Sequence, residues 1–157
     1  MAEANLEAAI APGAYLLIDS SVALAYLVGS EPTSPLAEQL FDAFVATGRN
    51  PASLSTVTVQ EILVRPFRGG VAAVTTAEGF LRHFAEIRLV PVSYDVAREA
   101  ARIRAATGLR APDALIIATA LVAEVDILVT NDRSWSAASA AIAPDLRICL
   151  LADLAQG

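Results

Sequence analysis

Short apolar runs that alternate with helix-forming stretches limit most what this chain can fold into. The runs fall at residues 15–18, 53–57, 88–92, 126–130 and 147–151. They are too short for helices, and the strongest are apolar at successive positions, as in strands buried on both faces. Between them apolar residues recur at helical spacing, for example Leu36, Leu40, Phe41 and Phe44, then Phe80, Leu81 and Phe84. Helices are therefore expected at 22–28, 35–47, from Thr58 to near Pro66, and at 76–87, 94–107 and 114–123. Gly29, Gly48 and Gly108 stand as their stops. A serine after the first strand and Ser93 before the fifth of these helices read as N-caps. The alternation predicts an α/β fold: a single domain with a parallel sheet of four or five strands and helices on both faces. Residues 1–14 are Ala-rich, end in Pro12-Gly13 and read as a tail or a short loose helix. Residues 15–157 read as one domain.

Composition removes several function classes. The 157 residues are 55% hydrophobic, which excludes wholesale disorder. Cys149 is the single cysteine and His83 the single histidine, so neither a disulfide framework nor a Cys- or His-built zinc site is available. All 11 basic residues are arginine, which removes Walker-type phosphate loops and Schiff-base chemistry. The net charge of −6 argues against a simple electrostatic nucleic-acid binder. It does not argue against a metal-dependent nuclease, whose site carboxylates are neutralised in use. The longest apolar stretch, 114–123, is broken by Thr119 and falls well short of the roughly 20 residues a membrane span needs. The N-terminus carries Glu3 and Glu7 and no positive side chain, unlike a secretory signal. The expected location is cytoplasmic, without a membrane.

Four acids stand out by position. Asp19 follows the first apolar run and Asp132 the fourth, where an open α/β sheet binds its ligands. Glu61 lies just inside the helix after the second run, and Asp113 opens the most apolar helix. Taken singly, Asp19 is an ordinary strand-end cap and Asp113 an ordinary first-turn helix carboxylate. Together they are expected at one sheet edge, where their mutual repulsion calls for a cation. An oxygen-only donor set favours Mg²⁺ or Mn²⁺ over zinc or copper. Two such ions about 3.5–4 Å apart can activate water and stabilise the leaving oxygen in phosphodiester hydrolysis.

At these residues the sequence resembles the PIN-domain family, most closely the VapC-like toxins of type II toxin–antitoxin systems. The segments that carry the resemblance are Leu17-Ile18-Asp19-Ser20-Ser21 and Thr58-Val59-Gln60-Glu61-Ile62-Leu63. They continue in Pro112-Asp113-Ala114-Leu115-Ile116-Ile117-Ala118-Thr119-Ala120 and Leu128-Val129-Thr130-Asn131-Asp132. The resemblance covers roughly residues 15–151. It implies a single PIN-like domain and a metal-dependent endoribonuclease whose catalytic and metal-binding quartet is Asp19, Glu61, Asp113 and Asp132. It further implies an RNA substrate, a cognate antitoxin protein and a homodimer. Ser21 would support Asp19, Thr130 would orient Asp132 or a water, and Asn131 would be a further supporting residue. The helices at 23–28 and 35–47 would offer a groove to an amphipathic antitoxin helix. The chain departs from the family pattern in its leader, in Trp135 where Phe is frequent, and in its lack of lysine.

The other notable residues have ordinary readings. Ser20 and Ser21 read as capping residues, since no G-x-S-x-G elbow is present. His83 reads as a surface or packing residue, Cys149 as a buried small hydrophobe, and Trp135 and Tyr26 as core or interface. Arg98, Arg102 and Arg104 read as a solvated helix face. Arg110 and Arg133 flank two of the acids and are candidates for RNA phosphate contacts or for steadying the quartet. A catalytically silent PIN-like module that binds RNA or a protein is the alternative. A phospho-receiver lacks its acid pair and lysine, and a dinucleotide-binding domain lacks G-x-G-x-x-G.

Overall fold

In the computed structural model, which describes residues 2–156, the apolar runs become five strands: β1 (Leu16–Ile18), β2 (Ala52–Ser55), β3 (Ile87–Val90), β4 (Ile127–Thr130) and β5 (Arg147–Leu150). All pair in parallel, in the order β3-β2-β1-β4-β5. Leu16 sits opposite both Ala52 and Ile127, which fixes β1 at the centre of the sheet. Nine helices connect and cover the strands among the described residues. They are α1 (Ala2–Ala9), α2 (Ser20–Val28), α3 (Ser34–Glu38), α4 (Thr56–Gly69), α5 (Val71–His83), α6 (Tyr94–Thr107), α7 (Ala111–Val122), α8 (Ser134–Ile142) and α9 (Leu151–Leu154).

The two-residue period of a strand splits the core between the faces. Leu16, Ile18, Ile127 and Val129 join a layer that includes Leu40, Phe41, Ile62 and Phe80. Leu17 and Leu128 join the opposite layer with Val96, Ile103, Ile117 and Trp135. Both faces are covered, so β1 throughout and β4 as far as Val129 are apolar rather than alternating. In the first layer Tyr26, Phe41, Phe80 and Phe84 form one aromatic cluster, with ring centroids from 4.6 to 5.9 Å apart.

Several sequence expectations need correction. The helix expected at 35–47 is α-helical only through Glu38 and continues as a π-helix over Gln39–Val45. The wider turn keeps Leu40, Phe41, Phe44 and Val45 all buried. α4 is capped by Ser55, whose side chain accepts from Val57 N, rather than by Thr58. It also runs through Pro66 instead of ending there. Proline removes one backbone donor from a helix but leaves its own carbonyl usable, and that carbonyl accepts the Gly70 N–H at 3.1 Å. Gly70, at φ 105°, makes the sharp junction into α5, which begins at Val71 rather than Thr76. The serine expected to cap α2 is inside it, and Asp19 is the cap. α8 and the short α9 were not expected.

The leader, read from sequence as a tail or loose helix, forms α1. Leu6 and Ile10, one turn apart, are fully buried in the first core layer. Arg49 donates to the Ile10 carbonyl at 2.9 Å, and Asn50 donates to those of Ala11 and Ala14 at 2.8 and 2.9 Å. Among the described residues no helix is long and apolar enough to cross a membrane.

Candidate active site

β1 ends at Ile18, and the next residue is the most buried acid of the quartet. Asp19 is 4% exposed. Its amide is held by the Val129 carbonyl of β4 at 2.9 Å. Its carboxylate is fixed by three donors. Oδ1 accepts the Ser20 N–H at 2.7 Å, as an N-cap side chain does. Oδ2 accepts the Ser21 hydroxyl at 2.7 Å and the Thr130 hydroxyl at 2.8 Å. Burial pushes the Asp19 carboxyl above the usual carboxylate range. The Ser21, Thr130 and Ser20 hydrogen bonds pull it back, while the negative charge of Glu61 adds to the rise. No arginine pairs with Asp19 among the described residues, so hydrogen bonds alone hold it.

Asp132 is coupled to Asp19 through Thr130. Thr130 Oγ1 donates to Asp19 and accepts the Asp132 amide at 3.0 Å. Ser21 does the same one residue earlier, donating to Asp19 and accepting the Asn131 amide at 3.1 Å. Asn131 in turn donates from its side chain to the buried Thr33 at 3.1 Å. The Asp132 carboxylate accepts both the amide and the hydroxyl of Ser134, at 2.9 and 2.6 Å. Ser21 and Thr130, the residues expected to support the acids, both donate to Asp19 Oδ2. Thr130 grips Asp19 with its hydroxyl proton and the Asp132 backbone with its lone pair.

Glu61 reaches the same edge from α4. It accepts the hydroxyl of Ser20, which also lies 3.0 Å from Thr58 Oγ1. Asp113 stands in the first turn of α7, the helix that leads into β4. A helix feeding a parallel strand starts toward the carboxyl edge of the sheet, so Asp113 shares that edge with Asp19 and Asp132. Arg110, itself largely exposed, donates to Asp113 Oδ2 at 3.3 Å. Arg133 turns away from the quartet and pairs with Asp153 of α9 at 2.5 Å.

The donor chemistry suits a hard divalent cation: carboxylate oxygens and no nitrogen or sulfur ligand. Among the described residues no three Asp, Glu, His or Cys side chains sit close enough to hold one ion together. The sequence did not single out Ser134, Thr33 or Thr58 for this edge, and it gave Ser20 only a capping role. A serine or threonine near a helix start has a cap as its ordinary explanation, and only the three-dimensional partner reveals more.

The PIN domain family model matches residues 16–141, and the chain belongs to that family. Solved structures share the fold at low identity. A toxin–antitoxin complex from Klebsiella pneumoniae is 19% identical, with 83% of this chain and 94% of that one covered, at a TM-score of 0.62. FitAcB from Neisseria gonorrhoeae is 20% identical over 87% and 97% of the two chains, at 0.66. Mycobacterium tuberculosis VapC20, described as a sarcin–ricin loop cleaving toxin, is 19% identical over 78% and 94%, at 0.63. No curated protein sequence matches the chain at a significant level.

Proposed function

We propose that this protein is a Mg²⁺- or Mn²⁺-dependent endoribonuclease and the toxin of a toxin–antitoxin pair. The observation that carries the reading is the Asp19 carboxylate, buried without a cationic partner and tied through Thr130 to the Asp132 turn. Burying a carboxylate without a counter-charge is expensive, and such expense is concentrated at functional sites. Asp19, Glu61, Asp113 and Asp132 are the residues that would hold the metal. When bound, it would supply an activated water and charge stabilisation for the leaving oxygen of an RNA phosphodiester.

The chain's own groups have distinct tasks in this reading. Asp19 is the fixed anchor, oriented by Ser21 and Thr130. Asp132 is held by Ser134, and Asn131 braces that turn against Thr33. Asp113 is steadied by Arg110. Arg110 and Arg133 contact RNA phosphates, and Arg133 does so by exchanging its exposed partner Asp153. The toxin–antitoxin complex among the structural neighbours supports a cognate antitoxin protein as partner. A homodimer in the cytoplasm completes the reading.

The test is incubation of total RNA with the purified wild type and with Asp113→Asn, each with Mg²⁺, Mn²⁺ or EDTA, followed by sequencing of the new ends. Discrete cuts that need the metal and vanish in the variant are expected. The spacing of the carboxylates favours one other reading, a catalytically silent PIN module that binds RNA or a protein. An absence of cuts together with an absence of Mn²⁺ binding in calorimetry would establish that module instead.

A further inference from the structure

Ser20 touches both Asp19 and Glu61. Its amide donates to Asp19 Oδ1 at 2.7 Å, and its hydroxyl donates to Glu61 Oε2. The residue is 6% exposed. Thr58, fully buried on the face of α4 that carries Glu61 one turn later, lies 3.0 Å from the same hydroxyl. Ser20 has one hydroxyl proton and two acceptors within reach. The carboxylate takes it, because hydrogen bonds to a charged acceptor are the stronger ones. Thr58 Oγ1, the second acceptor beside that hydroxyl, keeps it lodged between α2 and α4.

We infer that Ser20, backed by Thr58, is a positioning residue that holds Glu61 toward Asp19 against the repulsion of the two carboxylates. A helix N-cap needs only the Ser20 amide, which any residue but proline provides. The buried hydroxyl goes beyond capping, since it spans two elements 41 positions apart in sequence to reach a second acid. The sheet holds Asp19 from β1 and β4, but Glu61 stands on α4, and among the described residues only the Ser20 hydroxyl hydrogen-bonds its carboxylate. Loss of the hydroxyl leaves Glu61 free to swing to solvent, away from a like charge. The inference rests on the proposed metal site, since that is what a paired Asp19 and Glu61 would serve.

Mn²⁺ titration by calorimetry on wild type, Glu61→Gln, Ser20→Ala, Ser20→Thr and Thr58→Val, with a thermal melt of each, tests it. Residues that orient metal ligands typically contribute a factor of about 10–100 in metal affinity. Ser20→Ala is expected to bind Mn²⁺ about tenfold more weakly. Thr58→Val, which keeps the shape of the buried side chain, is expected to follow by a smaller factor, and Ser20→Thr to return close to wild type. Should Ser20→Ala melt below the assay temperature, the Thr58→Val and Ser20→Thr pair decides the question. Wild-type affinity in Ser20→Ala or Thr58→Val, alongside weakened Glu61→Gln, overturns the positioning role and leaves the metal site standing. No Mn²⁺ binding by wild type overturns both.

Discussion

Thr130 on β4 donates its hydroxyl to Asp19 Oδ2 on β1 at 2.8 Å, across 111 positions of sequence, and the same oxygen accepts the Asp132 amide at 3.0 Å. One side chain therefore serves two acids. Thr130→Val keeps the volume but leaves a buried carboxylate and a backbone amide each one partner short. An unsatisfied buried polar group costs about 1–3 kcal/mol, so urea denaturation should show a loss of that size. RNA cleavage should fall with it.

Asp19→Asn separates activity from stability. The amide keeps the shape of the side chain, and Ser21 and Thr130 can each turn a lone pair to its NH₂ while still accepting the Asn131 and Asp132 amides. The buried charge is lost. Cleavage should be abolished while the folded state becomes more stable by about 0.5–2 kcal/mol, the usual size of gain when a costly functional group is removed. The wild-type pH dependence carries the same sign. A carboxyl whose range is raised on folding binds its proton more readily in the native state, so its charge costs stability at neutral pH. That cost is relieved on acidification and should be missing from the variant.

Tyr26 predicts behaviour at the alkaline end. Burial and its hydrogen bond to Asp42 at 2.9 Å push the phenol up to about 12 from an ordinary value of 10. The native state keeps the proton longer than the unfolded chain, so its stabilising contribution is complete below pH 10 and declines as the pH rises toward 12. Cys149, pushed up by burial to about 11 from 9, adds a decline that begins earlier. Tyr26→Phe should flatten the upper part of this loss in denaturation curves taken from pH 9 to 12. A slope identical to wild type would refute the assignment.

Arg133→Ala should affect RNA more than folding. The Arg133–Asp153 pair is about half exposed on both sides, and exposed pairs are worth about 0–1 kcal/mol. The melting temperature should hardly move. RNA affinity, measured on the catalytically dead Asp113→Asn background, should weaken and lose part of its salt dependence. Unchanged affinity with a lowered melting temperature would contradict the expectation.

Leu6→Ala probes the leader. Leu6 is fully buried with Ile10 in the first core layer. Truncating a buried leucine costs about 2–5 kcal/mol, and a loss in that range by chemical denaturation would make α1 an integral part of the domain. A loss near zero would assign the leader to a peripheral role.

The strands and their acids were legible because parallel strands buried on two faces leave a continuous apolar signature, as in Leu16-Leu17-Ile18 and Ile127-Leu128-Val129. α6 was legible at both ends: Ser93 caps it by accepting from Val96 N, and Gly108 closes it at φ 73°. The π-helical turn at Gln39–Val45 was not, since a register change of one residue leaves an apolar pattern that still looks helical. α8 is built from Ser, Ala, Trp135 and Ile142, with little apolar periodicity, and takes its place from tertiary packing of the tryptophan. At the site, the acids were visible as residue types in position. The hydroxyl links among Ser20, Thr58 and Glu61 were not, because no spacing along the chain encodes a contact between α2 and α4.

The central place of β1 in the sheet also governs how this protein is born. The ribosome delivers Asp19 early, yet its Thr130 donor emerges 111 residues later. Arg147 then reaches back across 138 positions to the Ala9 carbonyl at 2.6 Å, so α1 and β5 are tied together only after residue 147 has been made. Native pairings this distant form late and slowly. A nascent chain halted before β4 has three strands and three of the four acids, but lacks Asp132 and the Thr130 hydroxyl that fixes Asp19. The site can therefore be assembled only after β4 has been made.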